Sequence, residues 1–219
     1  MAKDDTPPAV PLNYFAAVPA LELRLVAVIV NQGPGSWKQD ALWDEYLVSL
    51  TNRDSGPLTG ESVELVDFLG ASLEPGIEPW ALEKLSEANW EQYARVGRFV
   101  LGAGAAAGAM EVAAIGYGLA GGGAAGIFFI MPALLVANVA VVAVMDHQNK
   151  EKVQKEFARR QLRLPLDLAP GTAILGSLFF PMVPRPQRLI FRGKAGEAPL
   201  ELVLDLKPLA GLHVNPAAQ

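Results

Sequence analysis

From Leu21 the chain alternates, with Leu21, Leu23 and Leu25 apolar and Glu22 and Arg24 between them, and then runs apolar to Val30. Alternation places successive side chains on opposite faces of a strand. Gly33-Pro34-Gly35 breaks the run, so the pattern predicts an interior strand over Leu21–Val30. Tyr46, Val48 and Leu50 fall on one face with Ser49 and Thr51 on the other, and Asn52–Pro57 is a turn cluster in which glycine and proline supply special backbone angles. Ser62–Phe68 resumes the alternation. Such a meander needs a partner sheet to bury its apolar face. Beyond Pro75 the period becomes helical: Pro79 suits a first-turn position, and Leu82, Leu85 and Tyr93 share a face.

Phe99–Met145 breaks from this pattern, because its only charged side chain is Glu111 and Gly and Ala fill the spaces between Val, Leu, Ile and Phe. It is about twice the ~20 residues that cross a bilayer. The expectation is two membrane-crossing helices, from about Gly97 to Ala120 and from about Ala124 onward, joined at Gly121-Gly122-Gly123. Just before them, Trp90 and Tyr93 precede Arg95 and Arg98, as in the headgroup-level belt of a membrane protein. An amphipathic helix lying on the β-domain is the plainer alternative. Asp146–Gln161 is polar, with Glu151/Lys155, Lys152/Glu156 and Glu156/Arg160 at i,i+4 spacing and Val153 and Phe157 as a thin apolar stripe, so a helical stalk is predicted. Leu164–Gly171 ends it. Strands are predicted again over Ile174–Phe180, Arg188–Arg192 and Leu200–Leu206.

The strands on each side of the centre are too few to close a sandwich alone, but together they give six or seven. The predicted fold class is an α+β membrane protein, an immunoglobulin-like β-sandwich interrupted by a long transmembrane α-helical hairpin. Its parts are a leader or tether (1–18), a first β part (19–75), an amphipathic interfacial helix (76–97), the glycine-rich hairpin (98–145), a helical stalk (146–164), a second β part (165–212) and a tail (213–219).

Composition adds limits. The chain has 219 residues, a net charge of −5 and a mean hydropathy of +0.25, so nothing points to nucleic acid as a partner. There is no cysteine, which excludes disulfides and thiolate metal sites. Met1–Pro8 has no apolar signal core. Either the protein starts there and inserts through its own hairpin, or an export signal has been removed.

Tyr46–Asn52, Pro57-Leu58 and Val63–Asp67, followed by Leu168–Gly171 and Gly176–Pro181, resemble the telokin-like immunoglobulin-type domains of bacterial envelope lipoproteins. The hairpin separately resembles the glycine-zipper segments of bacterial outer-membrane lipoproteins. These resemblances imply an exported, membrane-associated protein of the cell envelope without enzymatic chemistry. The charges at Arg95, Arg98, Lys150, Lys152, Lys155, Arg159 and Arg160 flank one side, which in an inner membrane predicts cytoplasmic ends, whereas the resemblance favours the exported side, at the outer membrane or in the periplasm.

Small-xxx-small spacing at Gly104/Gly108, Gly118/Gly122 and Gly122/Gly126 lets helix backbones approach closely, within one hairpin or between protomers of a homo-oligomer. Glu111 within the apolar run marks a pathway or a buried partner, and Asn138 is the nearest polar candidate. Gly116–Gly121 satisfies G-x-G-x-x-G but lacks the strand and the following acid of a dinucleotide site. His147 and His213 stand alone in the sequence, no G-x-S-x-G occurs, and Asp44-Glu45 reads as a solvated pair. No catalytic set, cofactor or metal is therefore expected. The expected partners are the lipid bilayer, further copies of the chain and an envelope protein. The expected role is scaffolding or partner binding, with an oligomeric pore lined by the hairpins as the alternative.

Overall fold

The computed structural model describes residues 14–30, 37–38, 41–96, 111–113, 128–130 and 142–213. The first sheet joins β1 (Tyr14–Ala17), β2 (Leu21–Ile29), β3 (Trp43–Asn52) and β9 (Ala173–Pro181) in that order. The second runs β11 (Ala198–Asp205), β10 (Arg188–Ala195), β4 (Leu58–Val66) and β5 (Ser72–Leu73), and β8 (Leu166–Leu168) also pairs with β4. All these pairings are antiparallel.

The alternating residues explain why the sheets face each other. Leu23, Leu25, Tyr46, Val48 and Leu178 of the first sheet and Leu65, Phe191 and Leu204 of the second are buried in one core. Each such side chain contributes roughly 1.5–3 kcal/mol by leaving water. The chain steps from the first sheet to the second twice, between β3 and β4 and between β9 and β10. These steps lie at opposite ends of the sandwich, because β3 pairs antiparallel with β9 and β4 pairs antiparallel with β10. Each sheet therefore contains strands from both sides of the central stretch.

Asn52 holds the first step. Its Nδ2 donates to the carbonyls of Gly56 at 3.0 Å and of Leu168 at 2.9 Å, and its Oδ1 accepts from the Asp54 N–H at 2.8 Å. Where this first step enters β4, Gly193 of β10 lies so close to the strand that a side chain there would collide with the Thr59 carbonyl oxygen.

The central stretch differs from the predicted hairpin. Glu111–Ala113 (β6) and Phe128–Ile130 (β7) are extended and pair antiparallel, Glu111 opposite Ile130. A strand inside each predicted membrane helix is incompatible with both. Two physical reasons apply. Glycine costs a helix about 1 kcal/mol per residue relative to alanine, and Val112, Phe128, Phe129 and Ile130 are β-branched or aromatic residues enriched in strands. Among the described residues no helix is long and apolar enough to cross a membrane. The α+β membrane class with its transmembrane hairpin, and the glycine zipper built on it, are corrected to a fold of two packed β-sheets with two short helices.

Those helices are α1 (Pro79–Val96) and α2 (Val142–Arg160). The part of α2 predicted as a stalk lies on the sandwich. Its stripe of Val153 and Phe157 packs with Leu82 of α1 and with Trp43 and Phe179 on the outer face of the first sheet. The Phe157 and Phe179 rings stack with centroids 3.9 Å apart. Trp90 and Tyr93 of α1 are core residues. The Tyr93 hydroxyl donates to Asp67 at 3.1 Å, and Asp67 also accepts from the N–H groups of Leu69 and Ala71 at 2.8 Å each. Burial, and then the Asp67 charge, push the Tyr93 hydroxyl above its usual range.

Replacing Asn52 by alanine leaves the Gly56 and Leu168 carbonyls without their donor, at a cost of about 2 kcal/mol. Urea unfolding of Asn52→Ala reads this as a lowered midpoint, and an unchanged midpoint would show that the step is held by other contacts.

Candidate functional site

β9 ends the first sheet, and β4 carries partners on its outer edge only at its two ends. β5 pairs with Leu65 and Val66, and β8 pairs with Leu58, Thr59 and Gly60. Between them, Glu61–Glu64 has no strand on that edge among the described residues. Two straps cross from this edge to β9. One continues from β5 to Gly76, whose N–H donates to the Phe179 carbonyl at 2.7 Å. The other runs from Gln161 into β8, with the Leu162 N–H donating to the Ser177 carbonyl at 2.8 Å. Gln161 Nε2 reaches the Gly76 carbonyl at 3.3 Å and ties the straps together.

The frame encloses a cleft of about 490 Å³ in the side of the sandwich. Val63, Leu162 and Leu178 supply apolar lining and Glu61, Ser62, Gln161 and Ser177 polar lining, while Glu74 and Arg163 stand exposed at its rim. A concave site of this size that combines apolar and polar side chains falls in the size range of ligand pockets.

The second strap is positioned by Glu45. This residue sits on the outer face of β3 and is fully buried. It accepts from Trp37 Nε1 at 2.6 Å, from the Ser177 hydroxyl at 2.5 Å and from Arg160 at 3.4 Å. Arg160 also lies over the Trp37 ring, 5.2 Å from its centroid, and bonds Glu156 at 2.6 Å. The Ser177 hydroxyl donates to a carboxylate that also accepts from Arg160 and Trp37, which fastens β9 to β3 and to the end of α2. Its chemistry is that of an anchor.

Asp44, next in sequence, faces the opposite way. Its Oδ2 lies 2.7 Å from His213 Nε2, with both side chains buried. His213 reaches it from a left-handed backbone conformation, φ 55°. The Tyr46 hydroxyl is buried nearby, and burial and then the Asp44 charge raise it well above its ordinary value. Lys38 donates to the Trp43 carbonyl, and burial lowers it to about 8 against the pull of Asp44 and Glu45. Asp44-Glu45 is thus two separate buried anchors, where the sequence predicted a solvated pair. No signal in the sequence joins them to partners more than a hundred positions away. Among the described residues no group of three His, Asp or Glu is placed to hold a metal.

Of the residues singled out from the sequence, Trp90 and Tyr93 are buried in the core. Glu111 lies in β6 and Arg95 in α1, where only the backbone is described. Gly104, Gly108, Gly118, Gly122, Gly126, Asn138 and Arg98 lie outside the described residues.

Glu156 gives the anchor a pH signature. Hydrogen bonds from Arg159 and then Arg160 hold its carboxyl at about 2 against an ordinary 4.5. A depressed carboxyl stabilises the fold above its unfolded value and loses that contribution as pH falls toward the folded one. Thermal unfolding followed from pH 4.5 down to 2 should therefore drop less in Glu156→Gln than in the parent. Equal slopes would contradict the assignment. Compared with family models, curated proteins and solved structures, the chain gives no match, so the cleft is interpreted from its own chemistry.

Proposed function

We propose that the chain is a non-enzymatic binding module that uses the side cleft to hold a partner, in a scaffolding or recruiting role. The carrying observation is the unpaired Glu61–Glu64 edge of β4 between two straps, beside an apolar floor. Main-chain donors and acceptors at a sheet edge, with apolar side chains below, form a binding surface that needs no reacting group. The Ser177 hydroxyl, on the β9 wall of the cleft, and the buried Glu45 carboxylate behind it are satisfied by each other and by Arg160 and Trp37. A cell-envelope setting is part of the proposal. Its support is the resemblance of Tyr46–Asn52, Pro57-Leu58, Val63–Asp67, Leu168–Gly171 and Gly176–Pro181 to envelope lipoprotein domains. The pore alternative and self-association through the hairpin both required helices where β6 and β7 are extended, and neither is retained.

A fragment library screened by amide chemical shifts tests the site. Binding shifts should gather on Ser62, Val63 and Leu178, and Ser62→Phe, which fills the cleft from its β4 wall, should abolish them. Shifts that survive the substitution, or turnover of the fragments, would contradict a binding role for this cleft.

A further inference from the structure

The flanking strands give the cleft a direction. β5 and β8 are both antiparallel to β4, so they run the same way as each other. Leu73, opposite Leu65, brings the C-terminal end of β5 to the gap, and Leu166, opposite Gly60, brings the N-terminal end of β8 to its other side. Together they form one strand with its middle missing. Glu61–Glu64 spans about 13 Å at ~3.3 Å per residue, and with the straps entering at both ends there is room for about three residues of extended chain.

The charges at the two ends differ in sign. Glu74 follows directly on Leu73, and Arg163 lies on the strap leading into Leu166. Neither forms an ion pair among the described residues, whereas the neighbouring Glu61 is matched by Lys194 at 2.6 Å. A strand filling the gap in the direction of β5 and β8 places its first residue beside Glu74 and its last beside Arg163. A free amino terminus then meets a carboxylate and a free carboxylate meets a guanidinium, the stronger class of hydrogen bond. The opposite direction sets like charges together at both ends.

Resting on the reading of this cleft as a binding site, we propose that it takes a short peptide with free termini, about three residues long. The peptide adds to the Glu61–Glu64 edge of β4 antiparallel, with its amino end at Glu74, its carboxylate at Arg163 and an apolar central side chain over Leu162 and Leu178. The chemical class is a peptide end product or a chain short enough to lie wholly within the frame. Backbone bonds to the β4 edge supply tolerance of sequence, and the two rim charges supply selection for length and direction.

The test titrates the full chain with Ala-Leu-Ala in free, N-acetylated, C-amidated and doubly blocked forms, followed by amide shifts of Ser62 and Val63. The free peptide should bind, and each block should weaken it by about tenfold, the effect of losing one charge-assisted contact. In Arg163→Gln the amidation effect should vanish while the acetylation effect persists, and in Glu74→Gln the reverse should hold. Both residues are exposed, and an otherwise unchanged spectrum confirms that the variants fold. Equal affinity of the four forms, or tighter binding of the blocked ones, overturns the proposal. Fragments that bind in the cleft while the tripeptide does not overturn it and leave the binding-module reading standing. Absence of both kinds of binding overturns both.

Discussion

A buried carboxylate beneath a helix holds this structure in register. Glu45 has no contact with water, so without compensation its charge would cost several kcal/mol. Compensation comes from Trp37, Arg160 and Ser177, which belong to a loop, the end of α2 and the neighbouring strand β9. Removing one member of such a buried set costs about 3–5 kcal/mol, because the others remain desolvated. The constraint is directional as well as energetic. It fixes where α2 ends, and it places that end over the β3–β9 pair with the Phe157–Phe179 stack beside it.

The cleft follows from that placement. Gln161 and Leu162 come directly after Arg160, and Leu162 bonds the Ser177 backbone while the Ser177 side chain bonds Glu45. One side of the frame is therefore anchored at both its backbone and its side chain. The other side is anchored through α1, where Ser86 accepts from the Met182 N–H at 2.9 Å and Asp67 holds Tyr93. The two helices thus fix the straps that interrupt pairing along β4. Open edges invite unwanted pairing unless they are short or covered; here the frame limits the open length to a few residues and makes it selective.

The sequence reveals the strands that are long enough to show a period. Tyr46, Val48 and Leu50 are buried where their alternation places them, and Pro79 opens α1. β1, β5 and β8 are too short to carry a pattern, and β5 and β8 are the strands that define the cleft. Adjacent acids at Asp44 and Glu45 resemble a solvated turn, because their partners His213, Ser177 and Arg160 are brought to them only by the fold. Aromatic residues before arginines resemble a membrane belt, yet Trp90 and Tyr93 serve the core. The Gly- and Ala-rich centre is apolar enough to imitate membrane helices, and hydropathy cannot distinguish these from the paired segments β6 and β7. The cleft itself was not legible, since an unpaired edge is a property of pairing and not of composition.

The central claim is that β4 is open between two straps. Amide hydrogen exchange along Leu58–Val66 tests it most directly. Slow exchange is expected where β8 and β5 cover the strand. In Glu61–Glu64, the amides that face away from β10 should exchange faster by on the order of a hundredfold. Uniform protection from Leu58 to Val66 would contradict it, because the edge would then already be occupied.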